Sequence, residues 1–189
     1  MGIQFHSEPR CENPVLLVGW PGIGNVGIIA IDGLRKAVGA EPIGEIEPWD
    51  FFYPAKATFK GGVLDELAFP RNAFYHARHA GRDILFFIGD EQPSVEGKAY
   101  AEGVKAYRLA HLVLDAAVRF GCRRIYTSGA AVAAIHHAMI PQVWAVPTAP
   151  ELLHEVKRIP NAVLMNEGSI SGLNGLVLGV AKARGIEGM

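Results

Sequence analysis

The chain has 189 residues, half of them hydrophobic, with 19 acidic residues against 18 Lys and Arg and a formal net charge of −1. That balance, with no basic cluster, argues against a nucleic-acid surface, and no apolar run approaches the eighteen or so residues that span a bilayer. Two cysteines, Cys11 and Cys122, show neither C-x-x-C nor metal-ligand spacing, so a reduced, cytoplasmic protein with no metal centre and no cofactor is expected.

The length predicts a single α/β domain over residues 1–189. Residues 1–13 are polar, carry Pro9 and lack the apolar core of a signal peptide; they read as an N-terminal arm or edge segment. Val15 to Val18 is a short continuous apolar run, which suits a strand buried on both faces. Gly19, Pro21, Gly22, Gly24 and Gly27 follow, so the strand turns sharply into a helix from Asn25 to about Val38, ended by Gly39. Gly22-Ile23-Gly24-Asn25-Val26-Gly27 also spells G-x-G-x-x-G, with Glu45 or Glu47 about twenty positions on, where a ribose ligand would stand. Two readings are open: a dinucleotide turn, or glycines that let the helix pack tightly on the sheet. Pro21 weighs against the first, because it removes one loop N–H.

Glu41 to Glu47 predicts a second strand. Pro48 to Pro54 is an aromatic segment bracketed by prolines; Phe51 reads as core, whereas Trp49, Phe52 and Tyr53 are candidates for a partner-binding surface. Residues 55–76 form an antiparallel extension, with a β-hairpin from Ala55 to Phe69 around Gly61-Gly62 and a strand from Asn72 to His76. Asp83 to Gly89 is the clearest central strand. Gly97 to Phe120 is a long helix with apolar residues on two sides: Tyr100, Val104, Tyr107, His111, Leu114 and Val118 on one, Leu109, Leu112, Val113, Ala116 and Phe120 on the other. It is therefore expected to be covered on more than one face. Arg124 to Thr127, Val143 to Val146 and Ala162 to Met165 predict further strands. Thr148 and Glu151 have capping-box spacing for a helix over Leu152, Leu153 and Val156. Gly175 to Arg184 predicts the last helix. This alternation predicts a three-layer α/β/α sandwich with a largely parallel sheet and a β-hairpin insertion.

Ligands of open parallel sheets bind beyond the carboxyl ends of the strands. Four loops converge there in this reading: Trp20 to Gly24, Asp90 to Pro93, Ser128 to Ala131 and Glu167 to Gly175. The candidate ligand-binding residues are Gly22, Ile23, Gly24, Asn25, Asp90, Gln92, Ser169, Ser171 and Asn174. The serines, Asn174 and helix-start N–H groups suit a phosphate or carboxylate; equally, Ser171 suits a helix cap and the glycines a tight turn. No catalytic residue can be assigned. Asp90 and Glu91 are adjacent and point apart, no Walker A or G-x-S-x-G motif is present, and no Ser/His/Asp order is diagnostic. His136-His137 has no third ligand at a useful spacing, His111 reads as a buried histidine bonded to a neighbour, and His76 and His79 fall in an extended segment. Cys122, although followed by Arg123 and Arg124, reads as structural.

Gly19-Trp20-Pro21-Gly22-Ile23-Gly24-Asn25-Val26-Gly27 resembles the opening motif of the proteasome assembly chaperone 2 family, whose bacterial and archaeal members are often labelled ATP-grasp or carboxylate–amine ligase-like. Gly89-Asp90-Glu91-Gln92-Pro93, Pro150-Glu151-Leu152-Leu153 and Gly168 to Leu176 match later blocks of that family in order, so the likeness runs from about Val15 to Ile186. The resemblance implies a phosphorylase/hydrolase-like fold, homo-oligomers and a chaperone role that holds proteasome subunits without chemistry. ATP-grasp lysines and metal carboxylates are absent from the pattern. Archaeal relatives that dock on the proteasome ring can end in hydrophobic-Tyr-any residue; this chain ends Ile186-Glu187-Gly188-Met189, so tail docking is not expected and the family pattern continues past this point. Two functions follow from the reading: a homo-oligomeric scaffold for protein partners, or a binder or enzyme for a nucleoside-like or anionic ligand at the glycine-rich rim.

Overall fold

The computed structural model describes residues 2–93 and 103–189. Among these residues, eleven strands and four α-helices follow in chain order. Strands β1 (Ile3–Phe5) and β2 (Val15–Gly19) precede helix α1 (Val26–Ala37) and β3 (Glu41–Ile46). Next come β4 (Lys56–Lys60), β5 (Val63–Ala68), β6 (Asn72–His79), β7 (Arg82–Gly89), α2 (Gly103–Arg119) and β8 (Arg124–Thr127). The chain finishes with β9 (Val143–Ala145), α3 (Leu153–Val156), β10 (Ala162–Leu164), α4 (Gly172–Ala183) and β11 (Glu187–Gly188).

Seven strands make the main sheet, in the order β1-β3-β6-β7-β2-β8-β11. β2 pairs in parallel with β7 and β8, and β11 in parallel with β8; β1–β3, β3–β6 and β6–β7 are antiparallel. The α/β architecture expected from the alternating pattern is present, but the sheet is mixed rather than largely parallel. The physical reason is local: β6 and β7 are joined by the two-residue turn Ala80-Gly81, both with positive φ, which forces a hairpin. β6 is thereby an interior strand of the main sheet. Of the predicted extension, β4 and β5 alone stand apart, paired antiparallel around Gly61 (φ 61°) and Gly62 (φ 81°), the turn anticipated there. β9 and β10 likewise pair only with each other, in parallel, away from the main sheet.

Period-two alternation sorts the sheet residues into two cores. Leu16, Val18, Leu85, Phe87 and Phe74 face α2 and α4, whereas Leu17, Ile84, Phe86 and Ile88 face α1 and its Ile31. Helices thus cover both faces, giving three layers. On the α2 side a chain of ring contacts runs Trp20–Phe87–Phe74–Phe5–Phe120, with centroids 4.9 to 5.5 Å apart. Phe5 ties the N-terminal arm into that core, and Arg119 clamps the arm from outside with two hydrogen bonds to Glu8. Asp83, buried at the start of β7, accepts the Glu12 N–H at 2.8 Å. Burial pushes its carboxyl upward, but the Glu12 N–H and His76 outweigh that and hold it below the ordinary range.

α2 buries Ala106, Leu109, Ala110, Val113, Leu114, Ala116 and Ala117 and leaves Val104, Tyr107 and Val118 exposed. Only one of its two apolar sides is therefore fully covered; the predicted start of this helix, from Gly97 and including Tyr100, lies outside the described residues. Three local expectations change. Thr148 caps no helix: its Oγ1 accepts the Gly188 N–H at 2.9 Å, and Ala149 precedes the turn Pro150–Leu152 that leads into α3. α4 begins at Gly172, three residues before the expected start at Gly175. His111 makes an edge contact with Tyr107 at 4.5 Å, but its Nε2 is buried without a hydrogen-bond partner.

Gly27 sets how closely α1 approaches the end of β8. A Cβ built there would lie 2.2 Å from the Ser128 carbonyl oxygen. Gly27→Ala is expected to destabilise the fold by about 1–3 kcal/mol, the usual cost of forced overpacking, read as a lower denaturation midpoint with an unchanged slope.

Candidate functional site

The parallel strands β7, β2 and β8 lie side by side, so the loops that leave their carboxyl ends share one rim. Trp20 is fully buried at the end of β2, and its ring fills the space over Gly89, where a Cβ would come within 2.3 Å of it. The turn that follows needs unusual backbone: Gly24 (φ 59°) and Asn25 (φ 55°) are consecutive left-handed residues, and the Asn25 N–H closes onto the Gly22 carbonyl at 2.9 Å. The first turn of α1 then starts at Val26.

Two amides knit this turn to the other loops. Asn174, buried in the first turn of α4, accepts the Trp20 N–H with Oδ1 and donates Nδ2–H to the Trp20 carbonyl, each at 3.2 Å. The Thr127 hydroxyl donates to the same Oδ1 at 3.4 Å. Gln92 donates Nε2–H to the Pro21 carbonyl and accepts the Leu173 N–H with Oε1 at 2.8 Å. That last bond uses one of the N–H groups that a helix leaves unpaired at its start. Gly172 (φ 75°) gives Gln92 room, since a Cβ there would stand 2.9 Å from Oε1. Gly175 lets the preceding loop fold onto α4, with the Ile170 carbonyl 2.4 Å from the position of a Cβ.

The structure thus brings Gly22, Gln92 and Asn174 together, with Ile23, Gly24 and Asn25 exposed beside them. Asp90 sits at the rim but works as a loop staple: its Oδ2 accepts the Arg71 N–H at 2.9 Å, and its own N–H donates to the Arg71 carbonyl. Ser169 and Ser171 are exposed, and Ser171 occupies the N-cap position of α4 without a side-chain cap. The ribose-binding geometry is not formed. β3, which follows α1, is separated from β2 by β6 and β7, and Glu47 is engaged at the sheet edge by the Gly2 N–H and Gln4. Gly27 has the close-packing role. Beneath the rim, Trp20 Nε1 and both polar atoms of the Asn72 amide are buried without partners among the described residues; the sequence carries no signal for this.

The aromatic segment divides differently from the expectation. Phe52 is as buried as Phe51 and belongs to the core, held where Arg108 pairs with Asp50 at 3.1 Å and lies over Phe51. Trp49 (62% exposed) and Tyr53 (85% exposed) remain outside. His136 and His137 are exposed with rings 4.3 Å apart, and His136 Nδ1 accepts the Ala138 N–H. Burial pushes the Cys122 thiol up to about 12, which fits an inert, structural residue. No helix among the described residues is long and apolar enough to cross a membrane.

Comparison with known proteins identifies the family. The PAC2 family model matches residues 16–189, and the chain belongs to that family. An uncharacterized protein of Methanocaldococcus jannaschii is 26% identical over 180 residues, 94% of this chain and 64% of that protein; the chain thus spans less than two thirds of its relative. Among solved structures, the archaeal proteasome activator PbaB of Pyrococcus furiosus is similar with a TM-score of 0.80 and 26% identity, over 98% of this chain and 76% of that one. The proteasome-assembly chaperone homologue PbaA of the same organism aligns at TM-score 0.69 and 19% identity, over 98% of this chain and 73% of its own. A Mycobacterium tuberculosis proteasome-assembly chaperone homologue aligns at 0.68 and 18%, over 93% and 72%. The family and the α/β fold implied by the glycine-turn and Gly-x-x-Gln-Pro motifs are therefore the family and fold of this chain.

Asn174 is the residue on which the rim closes. Asn174→Ala leaves the Trp20 N–H and carbonyl unpaired in the interior, at a cost of about 1–3 kcal/mol for a buried unsatisfied group. Hydrogen exchange is expected to speed up at residues 20–25 and around Leu173, with the β6–β7 amides unchanged.

Proposed function

We propose that this PAC2-family chain is a non-enzymatic, chaperone-like protein that acts as a homo-oligomeric scaffold for protein partners, proteasome subunits among them. One observation carries the reading. The buried and part-buried amides of the rim, Asn174 and Gln92, are bonded within the chain, leaving Asn25, Ser169 and Ser171 among its exposed polar side chains, whereas large apolar side chains elsewhere face outward. Gln92, Asn174 and Asp90 each hold backbone groups of neighbouring loops, and this arrangement supplies no nucleophile–base pair. The structural relatives, a proteasome activator and proteasome-assembly chaperone homologues, support the same direction.

The outward apolar surface is organised. On α1, Val26, Ile29 and Leu34 are exposed together with Ala30, Gly33 and Ala37, a stripe at helical spacing opposite the buried Ile31. The segment that follows β8 begins at Ser128, against which Gly27 of α1 packs, and exposes Val132, Ile135, Met139 and Ile140. Exposed apolar surface of this extent marks interaction sites. The β4–β5 hairpin exposes Phe59, Val63, Leu64 and Leu67, and a lone two-stranded hairpin is marginal in water without something to pack against. We assign self-association to the α1 stripe with the adjoining segment, and partner contacts to Trp49, Tyr53 and the hairpin.

Native mass spectrometry of the full chain and of the double variant Ile29→Glu with Leu34→Glu tests this reading. The wild type is expected to be a discrete homo-oligomer and the variant mainly monomer, with unchanged circular dichroism. A monomeric wild type, or an oligomer indifferent to both charges, contradicts it.

A further inference from the structure

Away from the rim, at the opposite end of the central strands, three side chains from three segments meet. We propose that Cys11, His76 and Asp83 form a binding site for one divalent transition-metal ion of the zinc class. One ligand atom from each lies within 4.8 Å of the other two. Tetrahedral zinc with sulfur and nitrogen bonds of about 2.0–2.3 Å sets its ligands about 3.5 Å apart, so closure needs a shift of about an ångström. The Cys11 thiol makes one hydrogen bond, a 3.6 Å contact to the Pro9 carbonyl within the arm, and its side chain packs part-buried against the core.

His76 and Asp83 are already positioned. They stand on neighbouring strands, β6 and β7, with Nε2 2.8 Å from Oδ1. Asp83 Oδ2 is fixed by the Glu12 N–H, so the carboxylate is oriented from behind as a metal ligand usually is. Asp83 is 1% exposed, and a buried carboxylate demands a cation nearby. Arg78 and His76 supply positive charge near the carboxylate, but the Arg78 guanidinium is directed to Glu12 at 3.4 Å and is not bonded to Asp83. A sulfur, nitrogen and oxygen donor set suits zinc, cobalt or nickel, whereas magnesium and calcium take oxygen alone. Binding exchanges the thiol proton of Cys11, and any second proton on His76, for the ion and releases them to solvent. Such an ion would fasten the N-terminal arm to the β6–β7 hairpin.

The test is a titration of the full-length protein with Co²⁺ under reducing conditions, followed by absorption. One equivalent is expected, with intense tetrahedral visible bands and a thiolate-to-cobalt charge-transfer band that Zn²⁺ abolishes. Cys11→Ser should remove the charge-transfer band and weaken binding at least tenfold, Asp83→Asn should weaken it similarly, and the pair His136→Ala with His137→Ala should change neither. Should the arm variants fold poorly, alkylation of the wild type gives a second readout: Zn²⁺ should slow iodoacetamide labelling of Cys11 at least tenfold. No charge-transfer band, a band that survives Cys11→Ser, binding lost only with His136 and His137, or unchanged labelling would each overturn the proposal.

Discussion

The reciprocal amide pair between Asn174 and Trp20 is the constraint around which this fold is organised. It joins residues 154 positions apart, the end of a central strand and the start of the last helix, through two hydrogen bonds in a buried place. In the interior an amide without such partners is costly, so the pair fixes where α4 sits against β2. Gln92 repeats the logic from the β7 side by bridging Pro21 and Leu173. With these amides in place, the glycine turn becomes a closed joint among three loops. The Trp20 ring, pressed over Gly89 and against Phe87, then extends the joint downward into the aromatic core.

A rim that is consumed in this way bears on function. In an α/β enzyme the strand ends usually present polar groups to a ligand; here Gln92, Asn174 and Asp90 hold backbone. What the monomer offers instead is apolar surface on α1, on the segment after β8 and on the β4–β5 hairpin. That distribution suits a protein whose work is association. It also gives the family motifs a structural meaning: the glycines and the Gln-Pro exit build a closed joint among three loops.

Much of this was legible in the sequence because short-range physics dictates it. Val15 to Gly19 and Asp83 to Gly89 are apolar runs flanked by breakers, and Gly61-Gly62 names its own hairpin. The long-range pairing was not legible. Nothing local tells that β9 and β10 leave the main sheet, or that Glu187 and Gly188 add an edge strand beside β8. Thr148 shows how a local rule is overridden: its capping-box spacing was sound, yet its hydroxyl found the Gly188 N–H instead. At the rim, the sequence located Gln92 and Asn174 but could not tell a ligand-facing amide from one that binds its own chain. Phe52 likewise has the composition of a surface aromatic and the burial of a core one. The Cys11, His76 and Asp83 cluster is invisible in sequence, because its members are 65 and 7 positions apart and only the arm and the β6–β7 pairing bring them together.

The central claim is that α1 and the adjoining segment are covered by another copy of the chain. Hydroxyl-radical footprinting of the side chains Ile29, Leu34, Met139 and Ile140 across a dilution series examines it directly. The account predicts low modification at high protein concentration, rising together at all four positions on dilution, while Tyr53 stays reactive throughout. Uniformly high modification at every concentration would contradict it.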